Sequence, residues 1–167
     1  MKLSTALAGA AALLLMCTTA LAQTKVVNTF KDWTLYSHSG EPANICFLTS
    51  QPKETTPAGA RGDRSFFYIS SWPRDGVKAE ISIKVGRTMK EGSPVTVQIG
   101  NSRFQLFTKG DKAFVSDPTE ELKLIDTMKR GSFMVIKVVT ENGQPATETY
   151  SLIGVTKAIN TLAQGCG

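Results

Sequence analysis

The sequence predicts a mainly β protein, an antiparallel β-sandwich with two short helices, one of them C-terminal. Three observations predict it. From position 23 onward, short β-branched and aromatic runs are punctuated by Gly, Pro, Asn and Asp. Several runs alternate apolar and polar residues at period two, which puts one face on a core and one in water. Only two stretches carry the 3.6-residue apolar period of a helix.

The first 22 residues stand apart. Lys2 is followed by apolar or small residues from Leu3 to Met16, with Leu13-Leu14-Leu15-Met16 at the centre, and then by the small–x–small pattern Ala20-Leu21-Ala22. This is the pattern of a secretory leader cleaved between Ala22 and Gln23. The apolar run is shorter than the roughly 20 residues of a membrane span. The expected organisation is therefore a signal peptide over 1–22 and one β-sandwich domain over 23–167. The mature chain, with no stable membrane span, is expected in the periplasm, secreted or associated with the cell envelope. Cys17 falls inside the leader. A lipidated cysteine follows a small residue, whereas Met16 precedes Cys17.

The elements follow in order. Trp33-Thr34-Leu35-Tyr36 and Ile45-Cys46-Phe47-Leu48-Thr49 read as strands, separated by the turn Ser39-Gly40-Glu41-Pro42. Residues 51–64 mix Pro, Gly, Thr and charge without an apolar period and read as an exposed loop. Phe66 to Trp72 resumes a strand that Pro73 stops. Ala79 to Val85 and Val95 to Ile99 alternate at period two. Gly100-Asn101 turns the chain into Phe104-Gln105-Leu106-Phe107, and Lys109-Gly110-Asp111 into Ala113-Phe114-Val115. Phe133 to Val139 and Thr147 to Leu152 flank Asn142-Gly143, a strong hairpin signal. About nine strands result.

The first helix is announced by Asp117 as N-cap, Pro118 at the first position and Glu120 in an Asp-x-x-Glu capping arrangement. Leu122, Ile125 and Met128 form its apolar row, and Gly131 follows Lys129-Arg130 as a stop. In the second helix Val155, Ala158, Ile159, Leu162 and Ala163 share one face, and Gly165 ends it.

Charge narrows the partners. The chain holds 19 Lys+Arg against 14 Asp+Glu, a net charge of +5. The basic residues are dispersed: Arg74, Lys78, Lys84, Arg87 and Lys90 alternate with Asp75, Glu80 and Glu91. Nucleic-acid binding needs a clustered stripe, so nucleic acid is not an expected partner. Salt-sensitive affinity for anionic surfaces fits better.

Removal of the leader leaves Cys46 and Cys166. In an oxidising compartment their pairing is the expectation, with two free thiols as the alternative. Catalytic constellations are thin. His38 is the single histidine, and Ser39 beside it points elsewhere in an extended chain. Ser50-Gln51-Pro52-Lys53 matches Ser-x-x-Lys without its partner motifs. Glu120 and Glu121 suit a helix N-terminus for electrostatic reasons alone. No catalytic residue, metal site or cofactor is expected. Trp33 and Trp72 read as core anchors, with a sugar platform as the alternative. Arg61-Gly62-Asp63 lies on the exposed loop, where a guanidinium and a carboxylate around a flexible glycine suit an integrin-type receptor.

Several stretches together resemble the invasion-associated locus B family of exported alphaproteobacterial proteins. They are Asp32-Trp33, Cys46-Phe47-Leu48-Thr49, Trp72-Pro73 followed by Glu80, and Gly92-Ser93-Pro94-Val95. Next come Phe104-x-Leu106-Phe107-Thr108-x-Gly110-Asp111-x-Ala113 and Met128-Lys129-x-Gly131-Ser132. Thr149-Tyr150-Ser151-Leu152-x-Gly154 and the terminal Cys166 complete the set. The resemblance covers essentially the whole mature chain. It implies an immunoglobulin-like sandwich, an envelope or periplasmic location and a link to host-cell invasion, and it brings no catalytic residues. Family members often carry a cysteine near position 37, where this chain has Ser37.

The expected function is that of a non-enzymatic envelope protein binding an envelope or host-surface protein or polymer. The alternatives are a host-cell adhesin acting through Arg61-Gly62-Asp63 and a hydrolase using a serine with His38.

Overall fold

The structure is a computed structural model that describes residues 23–40, 44–58 and 64–165. The leader, the Arg61-Gly62-Asp63 tripeptide and Cys166 lie outside the described residues. The strands are β1 (Gln23–Phe30), β2 (Trp33–Ser39), β3 (Ile45–Ser50), β4 (Glu54–Thr56), β5 (Phe66–Trp72), β6 (Val77–Lys84), β7 (Val95–Ile99), β8 (Ser102–Lys109), β9 (Lys112–Phe114), β10 (Phe133–Val139) and β11 (Pro145–Ser151). The helices are α1 (Pro118–Arg130), between β9 and β10, and the C-terminal α2 (Val155–Ala163).

All eleven strands hydrogen-bond into one antiparallel sheet in the order β1-β2-β3-β5-β6-β9-β8-β7-β10-β11-β4. The sheet divides at β8, which pairs with β7 through Ser102–Leu106 and with β9 through Phe107–Lys109. The two halves pack face to face. Trp33 on β2 donates its indole N–H to the carbonyl of Ser151 on β11 at 3.0 Å. Phe67 on β5 meets Tyr150 on β11 edge-on, with ring centres 6.2 Å apart. The mainly β class with two helices is thus as the sequence predicts. The immunoglobulin-like expectation is met only at the coarser level of layered antiparallel strands, because the halves are joined through β8 rather than separate.

Period-two burial explains the packing. On β2, β3, β5, β7, β10 and β11 alternate side chains are buried. Trp33, Leu35, Leu48, Phe67, Ile69, Ile81 and Ile83 from one half join Val95, Val97, Met134, Ile136 and Tyr150 from the other in one core. At roughly 25 cal/mol per Å² of apolar surface, this burial is the main stabilising term. Helix α2 closes the core with Val155, Ala158, Ile159 and Leu162, packed against β1, β2, β3 and β5.

Several details differ from the sequence reading. The stretch read as a loop over 51–64 contains β4, which pairs with the edge of β11 through Glu54–Thr56. Strand β1 has no counterpart in that reading, because only Phe30 of its eight residues is buried and it shows no apolar alternation. In α1 the buried residues are Leu124, Ile125 and Met128, while Leu122 is 63% exposed. Ala163 of α2 is exposed. Asp117 does cap α1, accepting from Thr119 N–H at 2.6 Å, but the Glu120 carboxylate turns to Lys123 instead of closing the box. Gly131 follows α1 as expected but in extended backbone. Glycine is needed there because a Cβ would lie 2.6 Å from Ile99 Cγ2 and 2.8 Å from Leu152 Cδ1.

Gly154 is tightly crowded. It takes φ +91°, and a Cβ on it would sit 2.0 Å from the carbonyl oxygen of Phe30. Gly143 also has positive φ, +76°, but faces open space. Gly154→Ala is therefore expected to cost about 3 kcal/mol or more, and Gly143→Ala about 1 kcal/mol. Urea denaturation of the two variants measures the difference.

Candidate functional site

A groove of about 590 Å³ opens where β6 extends past β9. Val77, Ala79 and Glu80 of β6 form one wall, and Phe107 and Lys109 of β8 with Phe114 of β9 form the opposite one. Pro118, Glu121 and Leu122 in the first turns of α1 close a third side. Phe107 is 48% exposed, unusual for so large an apolar side chain, and Leu122 is more exposed still. A concave apolar surface with a few converging polar groups is the usual form of a binding site.

The polar groups are fixed by local structure. Asp117, Pro118 and the N–H groups of the first turn start α1 beside the groove. Those N–H groups hold the Asp117 carboxyl below its usual range. Glu121 points across to β6 and accepts from Ile81 N–H at 2.6 Å. Burial pushes its carboxyl up, the Ile81 hydrogen bond opposes this, and the nearby Glu80 charge adds to it.

An aromatic row leads into the groove over the outer face of the first half-sheet. Tyr36 and Phe47 stack at 5.2 Å, and Phe47 and Tyr68 lie 6.3 Å apart. Ser82 pairs with Tyr68 on one side and Phe114 on the other, and Phe114 lies 5.8 Å from Phe107. Tyr36 and Phe47 are nearly parallel, so each spends a ring face on the other.

A second polar cluster is sealed in the core. Glu148 on β11 is 2% exposed and accepts from Ser65 Oγ at 2.5 Å and from Tyr150 OH at 3.0 Å. Ser65 Oγ in turn accepts from Gly86 N–H at 2.8 Å. Burial pushes the Glu148 carboxyl up, against the two hydrogen bonds and the Arg87 charge. Burial and the Glu148 carboxylate push the Tyr150 phenol well above its usual value. This cluster ties the starts of β5 and of the β6–β7 connection to β11. The sequence reading places Glu148 only within the strand Thr147 to Leu152 and assigns it no role. Its parity with Ala146 and Tyr150, both buried, is the signal that places it inward.

A family model for invasion associated locus B protein matches residues 33–163. The chain belongs to the invasion associated locus B family. Among solved structures it is similar to invasion associated protein B from Bartonella henselae, with a TM-score of 0.58 at 14% identity, covering 87% of this chain and 97% of that one. At that identity the likeness speaks for the fold alone. No curated protein sequence matches.

Two of the stretches that carry the family resemblance meet in space. Trp33 is fully buried and bonded to Ser151, Asp32 N–H donates to Ile153 O at 3.4 Å, and Gly154 abuts Phe30. The opening Asp-Trp and the closing Thr-Tyr-Ser-Leu-x-Gly are thus two sides of one contact. Phe107, by contrast, faces the groove. Trp72 is only partly buried.

The other candidate residues separate. Lys53 of the Ser-x-x-Lys match forms an ion pair with Asp32 at 2.5 Å, far from a nucleophile's role, while Ser50 is buried. The Lys53 and Ser151 hydrogen bonds hold the Asp32 carboxyl below its usual range. His38 Nδ1 meets Thr24 Oγ1 at 2.7 Å rather than a serine and carboxylate pair. Among the described residues, no three His, Cys, Asp or Glu side chains are grouped to hold a metal ion. Among them, too, no helix is long and apolar enough to cross a membrane. Cys46 is buried on β3 opposite Ser37 and Ser71.

Glu148 makes stability depend on pH. Its folded carboxyl binds a proton more tightly than the unfolded one, whose ordinary value is 4.5. The folded state therefore loses stability as pH rises from about that value through the raised one. Glu148→Gln removes this term, so its stability relative to wild type is expected to improve between pH 4.5 and pH 7. Urea denaturation of both proteins at the two pH values checks the sign.

Proposed function

We propose that the protein is exported and serves as a non-enzymatic binding module of the cell envelope, with the β6–β8–β9–α1 groove as its binding surface. The single observation that carries this is the open groove flanked by exposed Phe107 and Leu122. Such surfaces on soluble domains mark interaction sites. Export is supported by the leader pattern from Lys2 to Ala22, and an envelope location by family membership. The partner is an envelope or host-surface protein or polymer. The name of the Bartonella protein supports a contribution to invasion.

The second reading is an adhesin acting through Arg61-Gly62-Asp63. It is favoured by the exposed Ala58 and Arg64 that flank the tripeptide's segment. The hydrolase reading gains no support from His38, given its Thr24 partner.

One experiment separates the two binding readings. Cross-linking in the native envelope, and on host cells, compares wild type with Leu122→Asp and Asp63→Glu. The groove reading expects Leu122→Asp to lose most of the captured partner, with Asp63→Glu unchanged and both variants melting like wild type. The reverse pattern supports the adhesin.

We also propose that Cys46 pairs with Cys166. Helix α2 starts at Gly154, beside the β1–β2 turn, and its nine residues rise about 13 Å. Cys46 lies opposite Ser37, four residues along β2 from Trp33, a distance of about 13 Å. Helix α2 packs on β2 and β3, the strands that carry Ser37 and Cys46, and this supports the pairing. A disulfide closing so long a loop is worth up to about 4–5 kcal/mol in the chain-entropy account. Wild type is expected to show no alkylatable thiol without reductant, and Cys46→Ser to expose one and lower the denaturation midpoint.

A further inference from the structure

The groove contains an unfinished sheet edge. Strand β6 runs from Val77 to Lys84, but β9 pairs with it only at Ser82–Lys84. Among the described residues no strand flanks Val77–Ile81 on the side away from β5. An open strand edge is a template for another chain unless something blocks it. Here the block is a side chain. Ile81 N–H, which a neighbouring strand's carbonyl would normally take, is held by the Glu121 carboxylate at 2.6 Å.

We propose that an extended peptide segment of a partner protein adds as a strand alongside Val77–Ile81, and that a carbonyl of that segment replaces Glu121 on Ile81 N–H. The inference rests on the groove being the binding surface and names the form of what enters it. Three observations carry it. The site is a strand edge inside a groove, so main-chain pairing and side-chain pockets are available together, as strand addition requires. The groove walls are apolar at Phe107, Phe114 and Leu122, which suits alternate apolar side chains of an incoming strand. Of the charged residues lining the groove two are acidic, Glu80 and Glu121, and one basic, Lys109, and neither glutamate joins an ion pair among the described residues, so a basic side chain in the segment is complementary to them. Released from Ile81, the Glu121 carboxylate becomes the natural partner for that base. The other long open edge, β1, exposes polar residues at Gln23, Thr24, Lys25, Asn28 and Thr29 beside Val26 and Val27, and none of its residues lines this groove.

The probe is a ten-residue N-acetylated peptide alternating valine and lysine, titrated into the isotope-labelled mature protein and followed by amide NMR. A control peptide carries N-methyl groups on alternate residues, which removes the donors of one edge. Binding is expected to shift the Ala79 and Ile81 amides and to slow their hydrogen exchange at least tenfold. The N-methylated peptide and the Leu122→Asp variant are each expected to weaken binding at least tenfold. Glu121→Gln keeps an acceptor for Ile81 and is expected to weaken the lysine peptide severalfold while the fold stays intact. Equal binding of the N-methylated peptide, shifts confined to β1, or no binding at millimolar peptide overturns strand addition. None of these outcomes touches the groove reading, which stands or falls on partner capture by Leu122→Asp in the envelope.

Discussion

The hydrogen bond from the Trp33 indole to the Ser151 carbonyl is the contact on which the architecture depends. A single sheet of eleven strands does not by itself make a core, because each face of a sheet needs a cover. Here the sheet covers itself, and Trp33 is where its two halves are held in register. The indole fills the space between them, meets Phe67 edge-on at 5.8 Å, and satisfies its one donor on the opposite half. Directly beside it, Gly154 lets the start of α2 press on the Phe30 carbonyl. A larger residue there would push α2 off the strands it caps. The buried Glu148 cluster then fixes the same pair of halves at a second level, through Ser65 and Tyr150.

With the core closed in this way, chemistry is left to the periphery. The inward carboxylate and phenol are fully partnered, and the histidine and the Ser-x-x-Lys lysine are each engaged with neighbours. What remains available is shape: an apolar trough, an aromatic approach to it, and a strand whose neighbour ends early. The site is assembled at the one strand, β8, that belongs to both halves of the sheet.

The strands that bury one face were legible because alternation is written directly into Ile81, Ile83, Val95, Val97 and Ile99. The C-terminal helix was legible for the same reason at its own period. Strand β1 was invisible because it lies on an edge and buries only Phe30, so no periodicity is imposed on it. β4 is three residues of ordinary loop composition that form a strand only because β11 offers an edge. The groove was illegible for a deeper reason. Its walls come from residues 77–80, 107–114 and 118–122, whose individual roles (strand, hairpin, helix cap) are each explained locally. Only the register that stops β9 at Phe114 turns them into a site. Leu122 shows the limit plainly: it fits the helix period, yet Leu124 takes the buried place and leaves it outside.

The Trp33–Ser151 bond spans 118 residues, and this sets the order of events in making the protein. Hairpins such as β2–β3 and β10–β11 are local and form quickly, but the halves cannot close until the last strand and helix exist. A ribosome-bound chain therefore carries Trp33, Leu35 and Phe67 uncovered for nearly the whole of its synthesis. Such a chain cannot fold prematurely around an incomplete core. Its apolar strands stay uncovered until the final segment arrives.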